Sequence, residues 1–222
     1  MKKLFLSILI SACLHVSAQS SEPFSTWNFG ANAASSIKEV EVNTVNGNIT
    51  VTGSNGPETT VEMYVSDNNR GIRRQKREAM SNEEIKQELE RNFTIEVKVD
   101  GEQLLVVARP NSNSGPQRLS ISFKITTPQP INSSLRAVNG GISINNLLGS
   151  HNIQTVNGSL KADSISGNVF GSTTNGSINV TNSKGKITLT TVNGSVNISD
   201  VTGVISTSTV NGRVKETNVT RE

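Results

Sequence analysis

The chain has 222 residues, with 21 lysines and arginines against 18 aspartates and glutamates, one cysteine, two histidines and 33% hydrophobic residues. This hydrophobic fraction is low for a globular protein, but a net charge of +3 is too small for general disorder, so we expect a thin, repetitive core. Beyond the first 18 residues, no apolar run approaches the roughly 20 residues of a membrane-spanning helix. The single cysteine excludes a disulfide framework or a cysteine-based zinc site.

Residues 1–18 have the pattern of a secretory signal peptide. Two lysines precede an apolar stretch, and small residues just before Gln19 form a cleavage site. The alternative is the lipobox-like sequence of residues 10–13, in which Cys13 would receive a lipid anchor. We favour Gln19 as the new N-terminus, because residues 14–16 continue the apolar segment where a lipoprotein normally becomes polar.

An irregular, strand-rich region precedes the regular part of the chain. Residues 19–36 are assigned to an N-terminal segment, and alternating apolar residues in 37–130 predict strands, several of them antiparallel. Thr-Val-Asn-Gly at 44–47 is an early copy of a motif that recurs later. Residues 67–92 form a charged excursion, in which Ser81 begins a capping box for one short helix.

A basic loop lies just before this helix and is the densest positive cluster of the chain. Most such loops are simply solvated, but this one is also a candidate contact for anionic glycans, lipid head groups or a partner protein. Signal cleavage would remove two lysines and leave a near-neutral chain with few aromatic residues, so no nucleic-acid partner is expected. The loop contains Arg70, Arg73, Arg74, Lys76 and Arg77.

Residues 131–222 contain a strict repeat of 18 residues. Asn-Gly pairs return at this spacing, and a further glycine stands halfway between successive pairs. Within each nonapeptide that begins with glycine, the third, fifth and eighth positions are mainly Val, Ile or Leu and are expected to point inward. This pattern predicts an all-β fold, a β-solenoid with 18-residue coils. The alternative is a chain of hairpins closed by Asn-Gly type I′ turns, but the full period of 18 rather than nine favours the solenoid.

The asparagines of these pairs are candidate ladder residues. In a solenoid they would stack on one edge, and stacked side-chain amides hydrogen-bond to one another. We interpret the ladder as structural, with a binding surface for repeated ligands such as glycans as the alternative. The ladder residues are Asn139, Asn157, Asn175, Asn193 and Asn211.

Several features together resemble a known family. The signal sequence, the recurring Thr-x-Asn-Gly-x-Ile motif, the charged helical excursion and the preproline strand before the repeats resemble the bacterial putative-adhesin family of β-strand-repeat domains, over roughly residues 37–219. The resemblance implies an exported envelope protein with a β-helical body. It brings no catalytic residues, because the family's function is not settled.

Few residues of the chain fit a calcium-binding, glycosidase or nucleophilic site. Calcium-binding nonapeptides need Asp at position six of each repeat, where this chain has only Asp163. Asp163 and Asp200 are 37 residues apart and therefore out of register for a pair of glycosidase carboxylates. His151 occupies an inward position and has no nucleophile signature nearby. We therefore expect no catalytic, cofactor or metal site.

The sequence favours an exported, non-enzymatic cell-envelope protein that acts as an adhesin or interaction scaffold toward a protein or glycan. It would be periplasmic, secreted or on the cell surface, and would be an outer-membrane lipoprotein only if Cys13 is processed. The first alternative is a carbohydrate-binding or carbohydrate-active β-helix protein, a lyase or hydrolase. The second is a periplasmic accessory of envelope-stress signalling.

Overall fold

The computed structural model describes residues 22–67, 80–112 and 118–222. In these ranges the protein is all-β, with 15 strands joined in one sheet and two short helices. The elements are β1 (Ser25–Phe29), α1 (Ala31–Ser36), β2 (Glu39–Asn46), β3 (Ile49–Ser54), β4 (Thr59–Asp67), α2 (Asn82–Asn92), β5 (Phe93–Asp100), β6 (Gln103–Pro110), β7 (Leu119–Pro128), β8 (Asn132–Asn139), β9 (Ile142–Asn157), β10 (Leu160–Asn175), β11 (Ile178–Lys184), β12 (Ile187–Asn193), β13 (Val196–Gly203), β14 (Ile205–Asn211) and β15 (Val214–Arg221).

The C-terminal strands pair in parallel with a constant offset of 18 residues. Ile142 of β9 lies opposite Leu160 of β10, and the same offset joins β10 to β11 and β12, β12 to β14, and β13 to β15. Hairpins would pair antiparallel, so the hairpin alternative is wrong. The Asn-Gly pairs from Asn139 onward also lack the positive φ that a type I′ turn requires.

The early copy of the motif joins the same stack. Strand β2 pairs in parallel with β8, which places Asn46 opposite Asn139, and β3 pairs in parallel with β9, which places Ile49 opposite Ile142. The chain therefore leaves the stack after β3 and resumes it in register 93 residues later. Apolar alternation alone does not reveal this continuity, because the intervening strands interrupt the period.

Strands β6 and β7 cover the side of the early motif copy that faces away from the repeats. Strand β6 pairs in parallel with β2, and β7 pairs in parallel with β3. Outside them the pairing is antiparallel, β5 with β6, β4 with β7 and β1 with β4, as the alternation predicted for several strands of this region. One end of the parallel stack is thus covered by antiparallel strands.

The core is a narrow column of β-branched and leucine side chains between the strands. Side chains alternate between the column and solvent, so each repeat contributes only a few buried groups. The larger apolar residues lie near the covered end, where Phe123 is fully buried. In the repeats the buried apolar residues include Ile142, Ile144, Leu147, Ile153, Leu160, Ile165, Val169, Ile178, Val180, Ile187, Leu189, Val196, Ile198 and Val201.

Two kinds of backbone feature let the repeats stack closely. A Cβ at Gly158 would lie 2.0 Å from the carbonyl oxygen of Gly140, so the Asn-Gly glycine leaves room for the neighbouring repeat. At another corner, one non-glycine residue per repeat has a left-handed backbone, a conformation that Asn and Asp tolerate best. These residues are Asn146, Ser164, Asn182, Asp200 and Asn218.

The helices flank the sheet. Helix α2 begins with the predicted capping box, because the Ser81 N–H donates to Glu84 at 2.8 Å and the Glu84 N–H donates to the Ser81 hydroxyl oxygen at 3.3 Å. The sequence predicted one helix, but α1 is a second one. It has six residues and buries only Ala34, so it leaves no apolar periodicity in the sequence. Within the described ranges, no helix is both long and apolar enough to cross the membrane.

Candidate interaction surface

A continuous ladder of side-chain amides runs along one edge of the stack. Each asparagine donates its Nδ2–H to the Oδ1 of the asparagine in the preceding repeat, at 2.8 Å in every step. The ladder follows the 18-residue register and extends one step further, into the early motif copy. Its members are Asn46, Asn139, Asn157, Asn175, Asn193 and Asn211.

The threonine of each Thr-x-Asn-Gly motif forms a hydrogen bond between repeats on the inner side of the same edge. Thr155 donates its hydroxyl to the carbonyl oxygen of Gly140 at 2.9 Å, and Thr173 and Thr191 do the same one repeat later each time. All three threonines are buried. The motif therefore places a hydroxyl in the column and an amide on the surface, with both bonded across to the neighbouring repeat.

Exposed valines lie between the threonines and the asparagines. Position eight was predicted to point inward, but this is wrong for the half of each repeat that ends in Asn-Gly, where Val156 is 42% exposed and Val192 38%. The reason is that the preceding threonine takes the inward place, and successive residues of a strand point to opposite sides. We call the resulting row the valine stripe: Val138, Val156, Thr174, Val192 and Val210.

The valine stripe begins in an open groove of about 650 Å³. Val45, Val107, Val138 and Val156 line it, next to charged residues of both signs, namely Glu41, Glu96, Arg109 and Arg136. Neither arginine forms an ion pair within the described residues. The groove therefore combines apolar and charged side chains on a surface that is open to solvent.

The carboxylates of the repeats do not form a catalytic pair. Asp163 lies in register with Thr181, whose row continues to Ser199, so Asp200 is one residue out of register, as the sequence predicted. A hydrogen bond from the Thr181 hydroxyl, and next one from the Asn182 amide at 2.9 Å, lower the pKa of Asp163. Hydrogen bonds from Ser199 and Asn218 likewise lower the pKa of Asp200.

These shifts decide which chemistry the carboxylates can perform. A general acid for glycoside cleavage needs a raised pKa, so that the carboxyl group is protonated near neutral pH. Both aspartates are shifted in the opposite direction and are ionised there. Their partners include side-chain amides of the next repeat, Asn182 for Asp163 and Asn218 for Asp200, which fits a structural role at the corner.

His151 lies inside the column. Its Nδ1 is 2.9 Å from the Ser133 hydroxyl oxygen, and its Nε2 has no hydrogen-bond partner within the described residues. Burial lowers the pKa of His151 to about 4. A Ser–His contact is also the beginning of a nucleophilic site, but here His151 is 0% exposed and Ser133 3%, so a substrate cannot reach them.

Some of the predicted features lie outside the described residues. The basic loop of Arg70, Arg73, Arg74, Lys76 and Arg77 is among them, as are the two candidate N-termini, Cys13 and Gln19. In the described parts of the chain, no group of three or more His, Cys, Asp or Glu side chains could hold a metal ion.

Sequence reasoning missed two features of this surface. The valine stripe was assigned to the core, although Thr174 replaces valine there and indicates that the position tolerates water. The left-handed corner was not recognised either. Its signal is Asn or Asp in the 18-residue register, at Asn146, Asn182, Asp200 and Asn218, with Ser164 in the remaining repeat.

Comparison with known proteins gives only structural likenesses. No known family profile and no curated protein matches the chain. A putative cell adhesion protein from Clostridium sporogenes is 10% identical, with a TM-score of 0.34, over 89% of this chain and 98% of that one. A putative adhesin from Bacteroides fragilis is 14% identical, with a TM-score of 0.38, over 91% and 98%. One from Parabacteroides distasonis is 14% identical, with a TM-score of 0.29, over 89% and 96%.

Proposed function

We propose that this protein is an exported, non-enzymatic cell-envelope protein whose β-solenoid serves as a rigid adhesive or interaction scaffold. Residues 131–222 would be the regular solenoid of 18-residue coils, and 37–130 the part that covers its end. The constant 18-residue offset of the parallel pairs supports this architecture. A stack of short repeats is stiff because each repeat is held by its neighbours, and it presents the same chemical groups at regular spacing.

The observation that carries the proposal is the edge of the solenoid. There the valine stripe leaves apolar side chains in water beside an amide ladder in which each inner asparagine already donates one hydrogen bond and accepts one within the protein. The fold does not require valine at these positions, since Thr174 has the same β-branched shape and lies in the same row. Contiguous exposed apolar side chains are a mark of interaction surfaces.

A binding experiment with matched variants tests this proposal. The full chain and the double variant Val156→Thr, Val192→Thr are compared for binding to envelope fractions and to an array of bacterial glycans. The control is Val204→Thr, because Val204 is 54% exposed but lies outside the stripe. We expect the double variant to lose binding and the control to keep it. Equal binding by all three forms would exclude the stripe as the contact, and turnover of any polysaccharide would contradict the non-enzymatic assignment.

The proposed export is tested by identifying the N-terminus of the native protein. The mass of the N-terminal peptide from the native source distinguishes a chain that begins at Gln19 from one that begins at a lipidated Cys13. We expect Gln19. An intact residue 1–18 segment on protein isolated from the cytoplasm would contradict export.

Carbohydrate binding without catalysis is a second candidate, favoured by Phe170. This side chain is 43% exposed on β10 and lies in register between Asn152 and Thr188. An aromatic ring beside amide and hydroxyl groups suits a sugar, whose ring has an apolar face and polar edges. Loss of glycan binding in Phe170→Ala, with binding retained in the valine double variant, would favour this candidate.

A further inference from the structure

The chain contains seven Asn-Gly pairs, and asparagine before glycine is prone to spontaneous deamidation. The glycine nitrogen gives up its proton and attacks the asparagine Cγ, and the side-chain nitrogen leaves as ammonia with that proton. Water then opens the resulting five-membered succinimide at either carbonyl and gives aspartate or isoaspartate. Six of the pairs begin at the asparagines of the amide ladder, and the seventh is Asn55–Gly56.

The stack holds both reacting groups in the five inner pairs, which are all the ladder pairs except Asn211–Gly212. Asn175 donates its side-chain amide to Asn157 and accepts one from Asn193, so the group that must turn toward the glycine nitrogen is fixed. The Gly176 N–H donates to the Asn193 carbonyl oxygen at 3.1 Å. The corresponding bond to the next repeat holds Gly47, Gly140 and Gly194. Attack on the Cγ therefore requires local opening of the stack first.

Asn55–Gly56 lies in an exposed bend between β3 and β4, outside the ladder. Among the described residues, neither the Asn55 side-chain amide nor the Gly56 N–H has a hydrogen-bond partner. The space around the pair is also open. A Cβ at Gly56 would have its nearest neighbour 3.7 Å away, whereas one at Gly176 would lie 2.0 Å from the Gly158 carbonyl oxygen. The ring can therefore close at Asn55 without opening of the stack.

Asn211–Gly212 is intermediate, because it is held from one side only. Asn211 donates its side-chain amide to Asn193 at 2.8 Å, and its carbonyl oxygen accepts the Gly194 N–H at 3.1 Å. Within the described chain no strand follows β14 in the stack, so the Asn211 Oδ1 accepts no ladder bond and the Gly212 N–H donates to no further repeat. A segment with pairing on one side opens more easily than one with pairing on both.

We infer that Asn55 and Asn211 are the sites of spontaneous deamidation in the folded protein, with Asn55 the faster, and that the stack protects the five inner pairs. The inference goes beyond the proposed function and does not rest on it. The modification has the larger structural effect at Asn211. An aspartate there has no N–H to donate to the Asn193 Oδ1 and brings a negative charge beside that oxygen, while isoaspartate also lengthens the backbone at the end of β14.

Peptide mass spectrometry tests the inference with a control inside each peptide. Trypsin cleaves after lysine and arginine, so the peptide 39–70 contains both Asn46 and Asn55, and the peptide 187–213 contains both Asn193 and Asn211. The full chain is incubated at mildly alkaline pH and digested, and fragmentation locates each conversion of an amide to a carboxylate. We expect Asn55 to convert at least about tenfold faster than Asn46, and Asn211 to convert faster than Asn193 by a smaller factor.

The same incubation in urea separates the effect of the fold from that of local sequence. The residue after each glycine differs between the pairs and can itself change the rate. The ladder is absent from the unfolded chain, so we expect the two rates within each peptide to converge. Gly56→Ala is the matched variant, because its methyl group obstructs the attack at Asn55 and meets no close neighbour in the fold. We expect it to suppress conversion at Asn55 and to leave the rate at Asn211 unchanged.

Two results would overturn the inference. The first is equal conversion of the two asparagines of either peptide in the folded chain. The second is a rate difference that persists unchanged in urea, because local sequence would then explain it. Either result leaves the proposed function untouched, since binding to envelope material is measured on freshly prepared protein. A chain that deamidates in the expected order but binds no such material contradicts only the proposed adhesive role.

Discussion

At the scale of single residues, steric fit at the edge governs how closely the repeats approach. The Asn-Gly glycine is needed for close contact with the preceding repeat and not for a left-handed backbone. At Gly176 φ is not positive, yet a Cβ there would lie 2.0 Å from the Gly158 carbonyl oxygen. His151, in contrast, is a large polar side chain at a position that is otherwise apolar. It occupies an inward place that Leu160 and Val169 take in the following nonapeptides, and there its Nε2 has no hydrogen-bond partner among the described residues, although its Nδ1 contacts the Ser133 hydroxyl.

We expect Gly176→Ala to lower the free energy of unfolding by about 2–3 kcal/mol, because the methyl group must displace backbone of the neighbouring repeat. Urea denaturation measures this loss. Gly56→Ala is the matched control, since the nearest atom to its Cβ would be the Ser54 hydroxyl oxygen at 3.7 Å. The control should change the stability by no more than about 0.5 kcal/mol. Similar losses in both variants would contradict the close-approach argument.

His151 should make stability depend on pH below about 6.5. Its folded-state pKa of about 4 lies below its ordinary value of 6.5, so the unfolded chain takes up a proton first as the pH falls. This contribution to stability is complete above pH 6.5 and is lost progressively toward pH 4. Between pH 7 and pH 5 the loss is about 2 kcal/mol.

The measurement compares urea denaturation of the original chain and of His151→Leu at pH 7 and pH 5. Protonation of carboxylates is common to both proteins, so the difference between their pH dependences isolates the histidine. We expect the original chain to lose about 2 kcal/mol more than the variant. The same pH dependence in both proteins would show that the pKa of His151 does not change on folding.

At the scale of the structural element, a repeat depends on its neighbours. One repeat buries only a few small apolar groups, and these cannot offset the entropy cost of ordering 18 residues. The missing stabilisation comes from pairing between repeats, through backbone ladders, through threonine hydroxyls such as that of Thr173, and through the asparagine ladder. The ladder is a stabilising device in this view, and the valine stripe beside it is the part free to bind.

Asn175→Ala tests the structural role of the ladder. It removes two hydrogen bonds, one donated to Asn157 and one accepted from Asn193. We expect a loss of about 1–2 kcal/mol and a Tm lower by about 3–6 °C. Asn145→Ala is the control, because Asn145 is exposed in β9 outside the ladder. Unchanged melting with reduced binding to envelope glycans would instead assign the ladder to recognition.

At the scale of the whole molecule, the two ends of the parallel stack differ. Antiparallel strands cover the side of β2 and β3, whereas β14 and β15 each pair with one strand only within the described chain. Their side chains are also largely exposed, in contrast to the buried inner positions of β9 to β13. Local opening is easiest where few buried contacts hold a segment.

Hydrogen exchange should therefore show a gradient along the stack. We expect backbone amides of residues 205–221 to exchange well before those of residues 142–201, because the former open without breaking two-sided pairing. Mass spectrometry of peptides from the two ranges measures the difference. Equal protection would show that the repeats open as one cooperative unit.

The sequence by itself determined the repeat. Glycine at fixed spacing, with Val, Ile and Leu between, was enough to predict an all-β chain and the row that Asn157 and Asn175 share, because local sterics and side-chain alternation act over a few residues. The tertiary structure decided what lies far apart in sequence or depends on competition for space. It placed Asn46 against Asn139 across 93 residues, because the early motif copy at 44–47 marks the corner in the sequence but does not say which repeat it pairs with. It also put Val156 in solvent, because Thr155, bonded to the carbonyl oxygen of Gly140 in the preceding Asn-Gly pair, occupies the inward place beside it.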